Sequence, residues 1–385
     1  MNIKDFLAGS YQKGYEYSYF LPENINHSFY WTDKKINELL ELAAVKLGEL
    51  NSFSKLIPDI DMFILMHVFK EAVVSNYIEG TKTNIEEALY DEKTVIPEKK
   101  DAWLEVNNYV TAMNTAISEL DKLPLSNRLI RSTHKTILSS GRGERKTPGE
   151  FRRSQNWIGG ASLADAIFIP PSHEELPDLM SDFELFLHNS DISVPHLIKI
   201  AIAHYQFETI HPFLDGNGRV GRLLITLYLV STHMLDAPLL YLSDFFNKNK
   251  SLYYDNLMLV RTKNDLGQWI KFFLTGVIET SVNASNTLQN IIKLKERVEQ
   301  QHILIMGKRL PTAMKLLHGL FKKPAVTIAD VQSITQLSSK ASYNLIDVFV
   351  EKGILNEVTG YQRNRIFVFT DYIKMFGNMS TQTTI

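Results

Sequence analysis

Apolar residues recur three and four positions apart along most of this chain. Residues 33–50 (DKKINELLELAAVKLGEL) and 61–78 (DMFILMHVFKEAVVSNYI) carry the spacing of amphipathic or buried helices. The same period predicts further helices at 101–121, 126–139, 173–189, 194–210, 219–234, 250–262 and 267–299. The pattern lapses between 140 and 172. There GRGERKTPGEFRRSQNWIGG is rich in turn formers, and Ile167-Phe168-Ile169 forms a short extended run stopped by Pro170 and Pro171. This stretch is predicted to be a hairpin or flap whose edge offers main-chain groups to a docking segment. Beyond 308 the pattern changes again. Short helices are expected at 311–323 and within 326–351, and two alternating strands at 354–358 and 365–369. Helix, helix, helix, hairpin is the order of a winged helix-turn-helix. The predicted fold is mainly α, a helical bundle with a short β flap followed by that small module. Its divisions are a helical extension at 1–100, a core at 101–300 and the module at 308–376.

Composition narrows the function classes. The chain of 385 residues is 44% hydrophobic and 22% charged, ample for a sizeable core in two or three domains. Its formal net charge of −2 gives no overall attraction for polyanions. Residues 308–376 differ, with ten Lys/Arg against five Asp/Glu. Residues 338–351 would form the recognition helix there, with Lys340, Ser342, Tyr343 and Asn344 outward and Arg363 and Arg365 on the wing, a surface suited to DNA or to a protein. Cysteine is absent, which excludes disulfides, thiolate metal sites and cysteine nucleophiles. With no apolar run of bilayer length and no secretion signal in the first residues, no membrane role and a cytoplasmic location are expected. Self-association into a homodimer is left open.

The densest chemistry lies at 211–222, His211-Pro-Phe213-Leu-Asp215-Gly216-Asn217-Gly218-Arg219-Val-Gly-Arg222. Pro212 interrupts a helix, the glycine pair makes a turn, and a new helix is expected near Arg219. A helix start offers unpaired N–H groups and positive dipole charge, which together bind anions. Arg219 and Arg222, read as first-turn residues, would each oppose the dipole by about 0.3–1 kcal/mol. A polyphosphate would reverse that sign and accept bidentate bonds. Asp215 beside it suits a hard divalent cation, and His211 can take a proton. Taken singly, each has a bland reading: a helix breaker, a turn, two solvated arginines. A mirror-image anomaly appears at Ser75-Asn-Tyr-Ile-Glu79-Gly80, where an acid sits at a helix end closed by a glycine cap. Both costs would be offset if Glu79 paired with Arg222.

These residues resemble the Fic family. HPFLDGNGRVGR fits the family signature HxFx(D/E)GNGRxxR at every specified position, and SNYIEG fits its inhibitory motif (S/T)xxxE(G/N). HYQFETI, PGEFRRSQNWIGG, IFIPP and the Tyr253–Leu274 region are similar to the family as well. The resemblance implies a helical Fic fold and transfer of AMP from ATP to a Ser, Thr or Tyr hydroxyl of a target protein or of the chain itself. It implies His211 as base, and Asp215 as ligand of Mg²⁺ or Mn²⁺. Gly216, Asn217, Gly218, Arg219 and Arg222 would bind phosphate, with Phe213 anchoring their loop. Tyr253 and Tyr254 would pack near adenine or belong to the core. Ile167, Phe168 and Ile169 would dock the target, and Ser75, Glu79 and Gly80 would form a brake. Some members use that glutamate to remove AMP instead, and others transfer UMP, phosphate or phosphocholine. The rival from another class is a DNA-binding regulator that only senses nucleotide.

Overall fold

In the computed structural model, residues 1–55, 60–141, 143–360 and 364–377 are described. The chain opens with an antiparallel hairpin, β1 (Gly9–Lys13) and β2 (Ser18–Pro22). It was not predicted: its residues alternate only loosely, and the turn lacks an Asn-Gly or Asp-Gly pair. The helices then follow as α1 (Lys34–Lys55), α2 (Ile60–Ile78), α3 (Ile85–Ala88), α4 (Lys100–Leu120), α5 (Asn127–Ile137), α6 (Leu176–His188), α7 (His196–Ile210), α8 (Asn217–Ser231), α9 (Ser243–Lys248), α10 (Lys250–Lys263) and α11 (Leu266–Val298). Among the described residues, no helix is long and apolar enough to cross a membrane.

The bundle is organised around α7, whose residues from Leu197 to Ile210 are all buried. Such a helix must be enclosed on every side. α6, α8 and α11 pack against it, and Trp269 of α11 donates its indole N–H to the Ala201 carbonyl at 2.8 Å. α1 lies along α11, while α2 packs on α4 and α9, so the first hundred residues share the central core. The flap is smaller than a hairpin of two strands. A single antiparallel bridge joins Ile158 to Phe168.

The C-terminal unit comprises α12 (Leu310–Lys322), β3 (Ala325–Val326), α13 (Ile328–Thr335), α14 (Ser339–Glu351), β4 (Asn356–Glu357), β5 (Phe367–Val368) and α15 (Thr370–Lys374). Its strands are shorter than expected, and a third, β3, completes the sheet in the order β3-β5-β4. Thr327 and Asp330 form a capping box that starts α13 directly after β3, and α13 and α14 are the two short helices expected within 326–351. Ser342 points inward, contrary to expectation. It is buried on the face of α14 that carries Leu345, Ile346 and Phe349, because the helical repeat puts it on their side. Lys340, Tyr343 and Asn344 are exposed. Arg365 lies over the Phe367 ring, while Arg363 lies outside the described residues. The unit touches the bundle through α2: Phe376 packs against Phe63 and His67.

Candidate active site

α7 ends at Ile210, and His211 follows as its cap in the left-handed region, with φ 49° and ψ 60°. That conformation costs a residue with a side chain about 1 kcal/mol or more, and it persists only where the surroundings over-determine it. Here they do. The buried guanidinium of Arg152 donates to the carbonyls of His211, Ile210, Ser154 and Pro171. The Asn156 amide donates to the carbonyls of His211 and Phe213. Together they satisfy the carbonyls that a helix end leaves open. Phe213 is fully buried and stacks on His134 with ring centroids 3.7 Å apart. His134 accepts from the Gly149 N–H, so its other ring nitrogen donates to the Asp215 carbonyl at 2.9 Å.

The loop closes on Asn217. Its side-chain oxygen accepts from the Phe213 N–H and its amide donates to the Phe213 carbonyl, both at 2.8 Å. Both ends of the buried Asn217 side chain thus hold the loop, which leaves its backbone N–H, at the start of α8, for the phosphate role that the resemblance implied. Gly216 caps the new helix at φ 79°, a conformation that favours glycine. No side chain caps α8, so its first N–H groups are open to an anion. α8 starts at Asn217, which makes Arg219 its third residue and Arg222 its sixth. Arg222 therefore lies beyond the first turn, where the dipole acts weakly. Burial is what makes its charge costly, since only 3% of the residue is exposed.

Both arginines meet the last turn of α2. Arg222 Nη2 lies 2.7 Å from Glu79 Oε1 and 2.9 Å from the Ser75 carbonyl, and Nε donates to Ser75 Oγ at 3.0 Å. Arg219 donates to Asp215 at 3.1 Å and to Asn76 at 3.4 Å. Burial alone would depress Arg222, but Glu79, Tyr253 and Glu208 outweigh it and hold the guanidinium firmly charged. Gly80 ends the segment at φ 91°, and Lys250 donates to the adjacent Ile78 carbonyl at 2.8 Å.

His211, Gly218, Arg222 and Glu79 line one cleft of about 530 Å³, within the range of small-molecule sites. Tyr254, Leu257 and Met258 of α10 line it as well, together with Ile158 and Ile167 of the flap. Tyr253 is buried and its hydroxyl is paired with His204, so it belongs mainly to the core; Tyr254 is 41% exposed and faces the opening. The flap edge is less open than expected. Ile167 is exposed, but the Ile169 carbonyl accepts from the Phe20 N–H of β2, and Phe168 is buried beneath Arg261. Burial, then Arg152 and Arg261, lower His211 to about 3, so its imidazole is neutral at neutral pH. Sequence reasoning missed Arg152, Asn156, His134, Glu208 and Arg261. The first two lie in the PGEFRRSQNW run, yet nothing local marks them as buried.

This geometry defines a helical protein with an uncapped, arginine-flanked helix start at a base-sized cleft. Residues 37–118 match the Fic/DOC family N-terminal model and residues 124–229 the Fic/DOC family model, so these two stretches are of the Fic family. The chain is 34% identical over 133 residues to the protein adenylyltransferase Fic of Drosophila erecta, covering 33% of this chain and 25% of that protein. To the protein adenylyltransferase Fic of Aedes aegypti it is 33% identical over 165 residues, covering 43% of this chain and 29% of the relative. The matched part thus spans under a third of these relatives' lengths. A Fic family protein from Desulfovibrio desulfuricans G20 shares the fold, with a TM-score of 0.55 and 20% identity over 88% of this chain and 97% of that one.

Proposed function

We propose that this protein transfers AMP from ATP to a hydroxyl of a protein side chain, and that Glu79 holds it at rest. The observation that carries the reading is the convergence of His211, the uncapped start of α8 and Arg222 on one cleft. The relatives' name, protein adenylyltransferase Fic, supports the same chemistry. A neutral imidazole can accept the proton of the attacking hydroxyl, and the negative charge of a bound polyphosphate raises its affinity for that proton. The hydroxyl oxygen then bonds to the α-phosphorus as the bond to the β-phosphate bridge breaks, and pyrophosphate leaves. Gly218 and Arg222 of the cleft, with Arg219 once a phosphate replaces its contact with Asp215, would stabilise the charge that develops on the leaving side.

The described residues hold no cluster of three acidic or histidine ligands. Asp215 fits a Mg²⁺ or Mn²⁺ site in which one carboxylate is joined by substrate phosphates. Its carboxylate is half-exposed and engaged by Arg219, a contact that a phosphate would take over. Such a cation would supply charge neutralisation at the phosphates. A target segment, of this chain or another, would pair with the flap beside Ile167, since the Ile169 carbonyl is occupied. Glu79 occupies the Nη2 donor that a terminal phosphate needs, and this is the brake.

The test is label transfer by the Glu79→Gly protein. Label from α-labelled ATP should enter protein, label from γ-labelled ATP should not, and His211→Ala should abolish the α-label transfer. Transfer from the γ position alone would replace this reading by phosphorylation. A second reading, DNA-binding regulation, draws on the exposed Lys340, Tyr343 and Asn344 of α14. Retardation of duplex DNA by a protein that labels nothing would favour it.

A further inference from the structure

Glu208 lies one turn before His211, is buried, and lines the same cleft. One of its carboxylate oxygens, Oε1, has no hydrogen-bond partner among the described residues. Its place is built in rather than incidental. Gly221 of α8 faces it, and a Cβ at that position would overlap Oε1. The absence of a side chain at 221 thus leaves room for a carboxylate at the floor of a cleft that must accept a polyphosphate. The charged and titratable groups around Glu208 are Arg222 of α8, Arg261, Tyr253 and Tyr254 of α10, and Glu79 after α2. Its own helix adds His204 and His211, a turn away on either side.

Two anions in one water-poor site repel strongly, and the group that can take a proton does so. A phosphate already has Arg222 and the α8 N–H groups to approach, so Glu208 is the group that must change. We propose that Glu208 enters the nucleotide complex as the neutral acid and donates its O–H to a phosphate oxygen, so that nucleotide binding takes up a proton from solvent. The carboxylate oxygen gains a proton and a hydrogen bond, and no bond to phosphorus forms or breaks. A carboxylic acid kept neutral by its surroundings so that it can donate is a known catalytic arrangement. The surroundings of the carboxylate lean the same way. Burial, opposed by Arg222 and reinforced by Glu79, moves Glu208 up to about 7. Above that value the free protein holds the carboxylate ionised, and removing Glu79 removes one of the influences that raise it. This inference rests on the nucleotide reading of the cleft.

The experiment is calorimetric titration of full-length Glu79→Gly/His211→Ala with magnesium ATP between pH 7 and 9, in buffers of different ionisation heat. These changes free Arg222, prevent transfer and remove the His211 imidazole as a proton acceptor. At pH 8 binding should take up about one proton, and affinity should fall by up to about tenfold per pH unit. Glu208→Gln in the same background should bind ATP with almost no proton uptake and a flat pH dependence. Uptake below about a fifth of a proton in the parent overturns the proposal, whatever the Gln variant does. So does equal uptake in parent and Gln variant. No ATP binding at any pH would overturn the nucleotide reading itself, and this inference with it.

Discussion

The meeting of α2 with α8 and the outer face of α14 both display charge, yet they differ in solvent. At the first, Arg222 is buried and bound by Ser75 and Glu79, and Arg219 is buried against Asp215 and Asn76. At the second, Lys340 stands in water on the exposed face of α14. A buried charge must be matched or it destabilises the fold, so its partners are informative about ligands that replace them. An exposed charge is nearly free to be there, and its position constrains little. The functional reading is therefore narrow at the cleft and broad at the C-terminal unit.

The largest test of that contrast is His211→Ala in the Glu79→Gly protein. Removing the base should lower the initial rate of AMP transfer by about a thousandfold, with no comparable effect from Lys340→Ala. Similar losses in both variants would dissolve the comparison.

Acid provides the next. Burial lowers His67, His204 and His211 to about 3, and lowers His134 to about 4, from 6.5. The unfolded chain therefore binds protons that the folded one refuses. Stability is fully present above about pH 6.5 and falls as pH drops from there toward 4. Glu71 and Glu208, raised by burial, act with the opposite sign and offset part of the loss. Urea denaturation at pH 7 and pH 4.5 should show a net loss of several kcal/mol.

Arg152→Ala should cost about 3 kcal/mol, because it leaves the Ile210 and His211 carbonyls at the end of α7, and those of Ser154 and Pro171, without their charged donor. Lys340→Ala should stay within about 0.5 kcal/mol in the same denaturation assay. A large loss at Lys340 would show that α14 carries a structural contact and not a free docking face.

How much of this was legible follows the same division. The helix, loop and helix of 196–231 could be read because Pro212 and Gly216 dictate backbone geometry locally. The helical periods were legible too, since each spans several turns of one face. Arg152 could not be found, since an arginine in a turn-rich run reads as solvated until tertiary packing encloses it. Glu208 looked like ordinary helix, and only the packing of Gly221 against it gives its carboxylate a setting. Ser342 was misplaced for a related reason. A serine reads as outward, but the helical repeat sets it with Leu345 and Phe349. The β1–β2 hairpin depends on support from the flap through Phe20 and Ile169, a contact far apart in sequence.

The 2.7 Å contact between Glu79 and Arg222 is proposed to hold a competent transferase at rest. Intact-mass analysis of the wild-type and Glu79→Gly proteins, each incubated with magnesium ATP with and without cell lysate, tests it directly. AMP adducts, on the protein itself or on lysate proteins, should accumulate far faster with Glu79→Gly and be absent when His211 is also replaced. Equal accumulation with and without Glu79 would contradict it.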